Sequence, residues 1–333
     1  MKQLLKRNAW LFAFAAAAVL PPVLPNDYYL TVLIFGGLYA ILAIGLNLLM
    51  GYAGQVSLGH AAFYGMSAYT TGILTVTHQW PIWAGILAAL ALTTVVAYMI
   101  AVPTLKLRGN YLAMGTLGFG VIVGIIFNEA TAVTGGPSGF TGIPKLSIGG
   151  KVLSSDLEYY YVVWMFVLLL FALSRNLVNS RMGRALRAIH TSETAASALG
   201  VDTQRHKIFV FVLSAFYAAV AGVLYAHYVT FVSPTSFGFS ASVLLLTMVV
   251  LGGMASLWGA LLGALFLTLL PEWLRAIEHY DILVYGAILV LCMMFLPGGL
   301  IEGARKVWVA LLSMVGKKGA KAQGAGGERT AAR

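Results

Sequence analysis

Charge is what this 333-residue sequence has least of. Between Asn8 and Leu105 the only formally charged side chain is Asp27. Charged residues make up 10% of the chain against the roughly 25% usual in soluble domains. Hydrophobic residues reach 60%, with a mean hydropathy of +0.87, which excludes an ordinary soluble domain. Cysteine is nearly missing too. The single Cys292 excludes an intrachain disulfide and, set in an apolar run, reads as a small packing residue. Acids and bases are scarce inside the apolar runs, where a proton-coupled secondary transporter would carry its relay. His60 is the moderate candidate for such a relay. The six histidines are scattered singly, with no nucleophile–base pair or metal set, which argues against an intramembrane enzyme.

What is present is a series of apolar runs of the length that a hydrocarbon core demands of a helix. Ten are read, near 9–24, 29–50, 60–77, 81–104, 111–127, 158–175, 208–230, 240–252, 257–271 and 282–296. The fold class is therefore an all-α polytopic membrane protein with about ten transmembrane helices, eight to ten being compatible with the pattern. The eighth and ninth runs are short, so the Gly252-Gly253 break reads as a turn between two helices or as a kink in one re-entrant unit.

Alternate loops collect the basic residues. Lys2, Lys6 and Arg7, then Lys106 and Arg108, then the six between Arg175 and Lys207, then seven after Leu300, make eighteen of 21 on one side. Only Lys145, Lys151 and Arg275 fall opposite. That puts both termini in the cytoplasm. The formal net charge of +10 is thus a topology signal and not a nucleic-acid footprint. Lys2 to Arg7, the Ala-rich run and Pro21-Pro22 also have the form of a secretory signal, and its removal would leave the orientation of the other nine spans unchanged. The chain divides into a cytoplasmic N-terminus at 1–8, a membrane domain at 9–300 and a basic tail at 301–333 that reads as disordered. Within the membrane domain lie a cytoplasmic loop at 176–207 and an outer loop at 128–157.

Three segments carry candidate chemistry. The second span ends in glycines Gly51, Gly54 and Gly59, each costing about 1 kcal/mol of helix stability relative to Ala. Asn47, Gln55, Ser57 and His60 bring polar groups to this broken stretch, the arrangement by which many transporters line a solute path. A cytoplasmic turn with small-residue helix packing fits the same residues. The outer loop holds Gly135-Gly-Pro-Ser-Gly139, an irregular connection suited to docking or gating, or a plain link. No phosphate-loop lysine pattern follows it.

The third is the charged island at 181–200. Arg181 to His190 predicts a short helix with Arg184 and Arg187 on one face. Thr191 or Ser192 caps a second helix with Glu193 in its first turn, ending at Gly200. Two helices with an Ala-rich face form a knob for a partner rather than a simple charge anchor.

In these residues the chain resembles the LivM-type permease subunits of branched-chain amino acid ABC importers. The matching stretches are Gly45 to Phe63, Leu107 to Leu117, Thr134 to Pro144, Arg181 to Val201 and Gly252 to Ala260, spread in order over about Leu30 to Leu300. The resemblance implies a multi-pass protein of the bacterial inner membrane that pairs with a second, LivH-type permease subunit. It implies two cytoplasmic ATPase subunits that hydrolyse the ATP, and an extracytoplasmic solute-binding protein. Arg181, Gly183, Arg184, Arg187, Glu193 and Gly200 then belong to the ATPase-coupling element. The chain carries no Walker-A pattern, so it supplies no ATP site, binds no cofactor of its own and is not an enzyme. His190-Thr-Ser192 departs from the more acidic or basic pair expected there, a change that would tune the partner fit. Urea or short-amide importers share this architecture and are the alternative substrate class.

Overall fold

The computed structural model describes residues 27–107 and 109–274, with isolated positions outside them. Expectations for the 1–8 segment, the spans near 9–24 and 282–296, Arg108, Cys292 and the 301–333 tail lie outside the described residues.

Every apolar run predicted inside that range forms a helix. The first, α1 (Asp27–Asn47), runs on into a π-helical segment, Leu48–Tyr52. It is followed by α2 (His60–Val76), α3 (Ile82–Thr104), α4 (Asn110–Glu129) and the single turn α5 (Thr131–Thr134). After three two-residue strands, β1 (Phe140–Thr141), β2 (Ser147–Ile148) and β3 (Lys151–Val152), comes α6 (Asp156–Asn179). Then follow α7 (Arg181–Thr191), α8 (Glu193–Ala198), α9 (Thr203–Val229), β4 (Phe231–Val232), α10 (Phe239–Gly252) and α11 (Leu257–Leu274). Six stretches among the described residues are long and apolar enough to cross a membrane: Tyr28–Tyr52, Ile82–Thr104, Tyr111–Glu129, Asp156–Asn179, Thr203–Val229 and Pro234–Gly252. Two shorter helices, α2 and α11, complete the packed set.

Helices dominate because lipid offers no partner to an open backbone group. The same constraint reaches the side chains. Thr70, Thr94, Thr104, Thr247 and Thr268 each donate the hydroxyl to the carbonyl four residues earlier, which hides it from an apolar surround.

Burial sorts the helices into centre and rim. In the Tyr28–Tyr52 stretch 83% of the apolar window is buried, against 22% in Tyr111–Glu129. The α1 helix packs on α6, α9, α10 and α11, while α9 also packs along α2 and α3. Tyrosines stitch α6 to α9: Tyr159 donates to the Leu224 carbonyl at 2.6 Å and Tyr217 to that of Leu170 at 2.9 Å. Exposed Leu87, Val95, Met99, Ile122 and Ile125 on α3 and α4 give the rim an apolar outer surface suited to lipid. The Gly252-Gly253 break is a full reversal. Gly252 lies against Gly259 and Gly263, so α10 and α11 form a tight antiparallel hairpin whose close approach a Cβ would block.

Candidate functional site

The charged island folds as two capped helices. Ser180 accepts hydrogen bonds from the amides of Met182 and Gly183 at 3.1 and 3.5 Å, which starts α7. Ser192, rather than Thr191, caps α8 by accepting from Ala195 N–H at 3.3 Å. Gly200 ends the unit at φ +84°, in the left-handed region. One face of α7, made of Gly183, Leu186 and Ile189, is buried, while Arg181, Arg184, Arg187 and His190 are exposed. On α8 only Ala196 is buried, and just beyond that helix Leu199 stands 84% exposed.

Not every charge in this unit points outward. Arg187 donates to the Val178 carbonyl at 2.8 Å and Arg184 to that of Asn179 at 3.5 Å. Both guanidinium groups therefore sit at the carbonyl end of α6, where a cation is favoured. Glu193 pairs at 2.5 Å with Lys207, whose side chain is 3% exposed. A lysine that deep is costly without a counter-charge, so the pair ties α8 to the first turns of α9. The sequence places Lys207 at the end of the 176–207 loop. It is a buried member of α9 instead.

The glycine-broken segment is built against this unit. Gly54, at φ +68°, turns the chain after the π segment, with its N–H on the Met50 carbonyl and the next N–H on that of Leu49. The Gly51 carbonyl is taken by His190 Nδ1 at 2.7 Å. Asn47 is fully buried and clamps the α10–α11 reversal: its amide donates to the Ser256 carbonyl at 2.8 Å and accepts from Ala255 N–H at 3.0 Å. Gly51 is required here by space. A Cβ on it would come within 2.2 Å of Asn47 Oδ1 and 2.3 Å of Ala255 N.

The four candidate path residues thus part company. Asn47 has both ends of its amide engaged, and Gln55 donates to the carbonyl of Ala53 at 3.0 Å. Ser57 and His60 are buried, and among the described residues Ser57 Oγ and His60 Nε2 have no hydrogen-bond partner. A cleft lined by Leu58, Ala62, Gly120, Gly124, Phe237 and Ser242 opens at the positions flanking His60. Thr116 and Ser242, which the sequence did not single out, hold this stretch: the hydroxyls accept from Leu58 N–H at 3.1 Å and Ala61 N–H at 3.2 Å. Both are hydroxyls in otherwise apolar helices, a pattern too common to be a signal. Ser180 was legible in principle as a cap before an amphipathic turn.

At the other end of α9 the 128–157 segment is anchored by backbone. Strand β1 pairs antiparallel with β4, aligning Phe140 with Val232. His227, fully buried, donates from Nδ1 to the Pro144 carbonyl at 2.7 Å, and its Nε2 lies 3.0 Å from Thr71 Oγ1. Among the described residues no cluster of His, Cys, Asp and Glu has the make-up to hold a metal ion.

The family described as branched-chain amino acid transport system, permease component, matches residues 28–293. This chain belongs to that family. It is 34% identical to the high-affinity branched-chain amino acid transport system permease protein LivM of Escherichia coli, aligned over 90% of this chain and 76% of that protein. It is 27% identical to LivH of Salmonella typhimurium over 80% of this chain and 92% of that protein. A probable LivM of Methanocaldococcus jannaschii is 23% identical over 83% of this chain and 93% of its own length. Among solved structures none matches. As a member of this family with several membrane-length helices, the chain is a multi-pass inner-membrane permease component for branched-chain amino acid transport.

Proposed function

We propose that this permease is one of two membrane subunits of an ATP-driven importer for branched-chain or similar neutral amino acids. It crosses the membrane about ten times with both termini in the cytoplasm, and a LivH-type subunit forms the other half of the path. Two cytoplasmic ATPase subunits bind α7–α8 and hydrolyse the ATP, while an extracytoplasmic binding protein delivers solute to the 128–157 end. The chain itself binds no cofactor and catalyses no reaction.

The observation that carries this reading is Leu199, 84% exposed at the tip of a capped helix pair held to α9 by the bond of Glu193 to buried Lys207. An apolar side chain on a segment too charged for lipid offers a protein contact. The tie to α9 gives movement of that contact a rigid route into the membrane helices. Support for the path comes from buried Ser57 and His60, each with a polar atom unpartnered among the described residues, and from a cleft lined by their chain neighbours Leu58 and Ala62. The test is uptake of labelled leucine by proteoliposomes holding this chain, its partner permease and the ATPases, with binding protein outside. Uptake should require ATP inside and be competed by isoleucine and valine, not by urea. Uptake driven by a proton gradient without the ATPases would sink the proposal.

A further inference from the structure

The last turn of α7 reaches into the broken helix through one side chain. The Gly51 carbonyl lies at the end of a helix, where carbonyls have no partner within the helix. Its neighbours Leu49 and Met50 are capped by the returning backbone, whereas Gly51 accepts from His190 at 2.7 Å. A carbonyl only accepts, so Nδ1 carries the proton. The ring also packs on the turn: a Cβ at Gly54 would lie 3.2 Å from His190 Cδ2. On the far side of Gly51 stands Asn47, which grips Ala255 and Ser256 in the α10–α11 reversal. Ala255 is held there at φ +58°, a conformation a non-glycine residue adopts at a cost. The junction is π-helical, a form found at functional sites and able to absorb a one-residue change in backbone pairing.

We propose that His190 is a positioning residue for transport: it transmits movement of the α7–α8 unit through the Gly51 carbonyl and Asn47 to the α10–α11 hairpin. This assignment rests on the reading that α7–α8 is the ATPase-binding element, and it reverses the expectation that position 190 tunes the partner fit. His190 faces the broken helix with its hydrogen bond, while Leu199 faces outward. A rotation of α7 then acts on a backbone junction that adjoins both Gly54, next to the path candidate Gln55, and the hairpin.

The experiment compares His190→Ala, His190→Asn and His190→Gln in the reconstituted complex. Three quantities are read: ATPase copurification, ATP hydrolysis, and leucine transported per ATP. An Asn amide nitrogen stands near the place of Nδ1, and a Gln amide near that of Nε2. The Ala variant should keep its ATPases and hydrolysis while leucine per ATP falls about tenfold, the scale of one lost hydrogen bond. Asn should restore most of that ratio and Gln little. An unchanged ratio in Ala, loss of copurification in Ala, or Asn performing no better than Gln would each overturn the proposal. If Ala is poorly folded, the Asn–Gln comparison decides by itself. Failure of the underlying reading shows separately, as copurification that survives Leu199→Asp.

Discussion

Near each end of α9 a histidine donates Nδ1–H to a backbone carbonyl at 2.7 Å, His227 to Pro144 and His190 to Gly51. The ends are roughly 40 Å apart, from 27 residues at the helical rise. The surroundings differ. His227 is fully buried, has Thr71 on its second nitrogen, and adjoins a strand pair that fixes the same loop. His190 is exposed, and its bond ends on a π-helical junction rather than a strand. One end is braced by contacts that reinforce one another. The other is joined to the broken helix by one directional bond and to α9 by a charge pair whose lysine alone is buried, an attachment with less around it to hold it still. The same bond is a brace where burial surrounds it and a link where it stands at an edge.

The largest effect should come from the charge pair. Glu193→Ala leaves Lys207 buried without a counter-charge, at about 3 kcal/mol, the low end for a buried pair because Glu193 is 31% exposed, read as a lower thermal midpoint in detergent and new protease cleavage around α8. Replacing both members, as Glu193→Gln with Lys207→Met, should recover most of the loss. If the single change is silent, α8 is not held by this pair. Next comes the brace. His227→Ala strands the Pro144 carbonyl and the Thr71 hydroxyl, with a loss of about 1–3 kcal/mol, yet leucine per ATP should stay at the wild-type value. A changed ratio would erase the distinction between the two ends. Smallest is Ser180→Ala, about 1 kcal/mol through the lost cap, seen as fraying of α7 by hydrogen exchange. Exchange confined to α8 would contradict that role.

What could be read from the sequence follows from the range of the forces involved. Apolar runs announced the membrane helices because lipid permits little else, and the eight runs between 29 and 271 recur as helices. The helix pair at 181–200 was legible because caps are local: Ser192, Glu193 and Gly200 lie within a few residues of what they stabilise. The grip of Asn47 on Ala255 and Ser256 spans 208 and 209 positions and leaves no spacing to detect. The reach of His190 to Gly51 is hidden for the same reason, across 139 positions. Asn47 therefore looked like a polar group for a solute, whereas its amide is spent on the backbone. Of the four path candidates, Ser57 and His60 keep atoms without a hydrogen-bond partner among the described residues, which no sequence spacing announces.

The account stands on which end meets the ATPases. In a chain with Cys292 replaced by Ala, a cysteine is placed at Leu199 or, at the opposite end, at exposed Lys145, and the assembled complex is treated with a short bis-maleimide. The Leu199→Cys chain should form a covalent adduct with an ATPase subunit and the Lys145→Cys chain none. An adduct from Lys145→Cys, or none from Leu199→Cys, would contradict it.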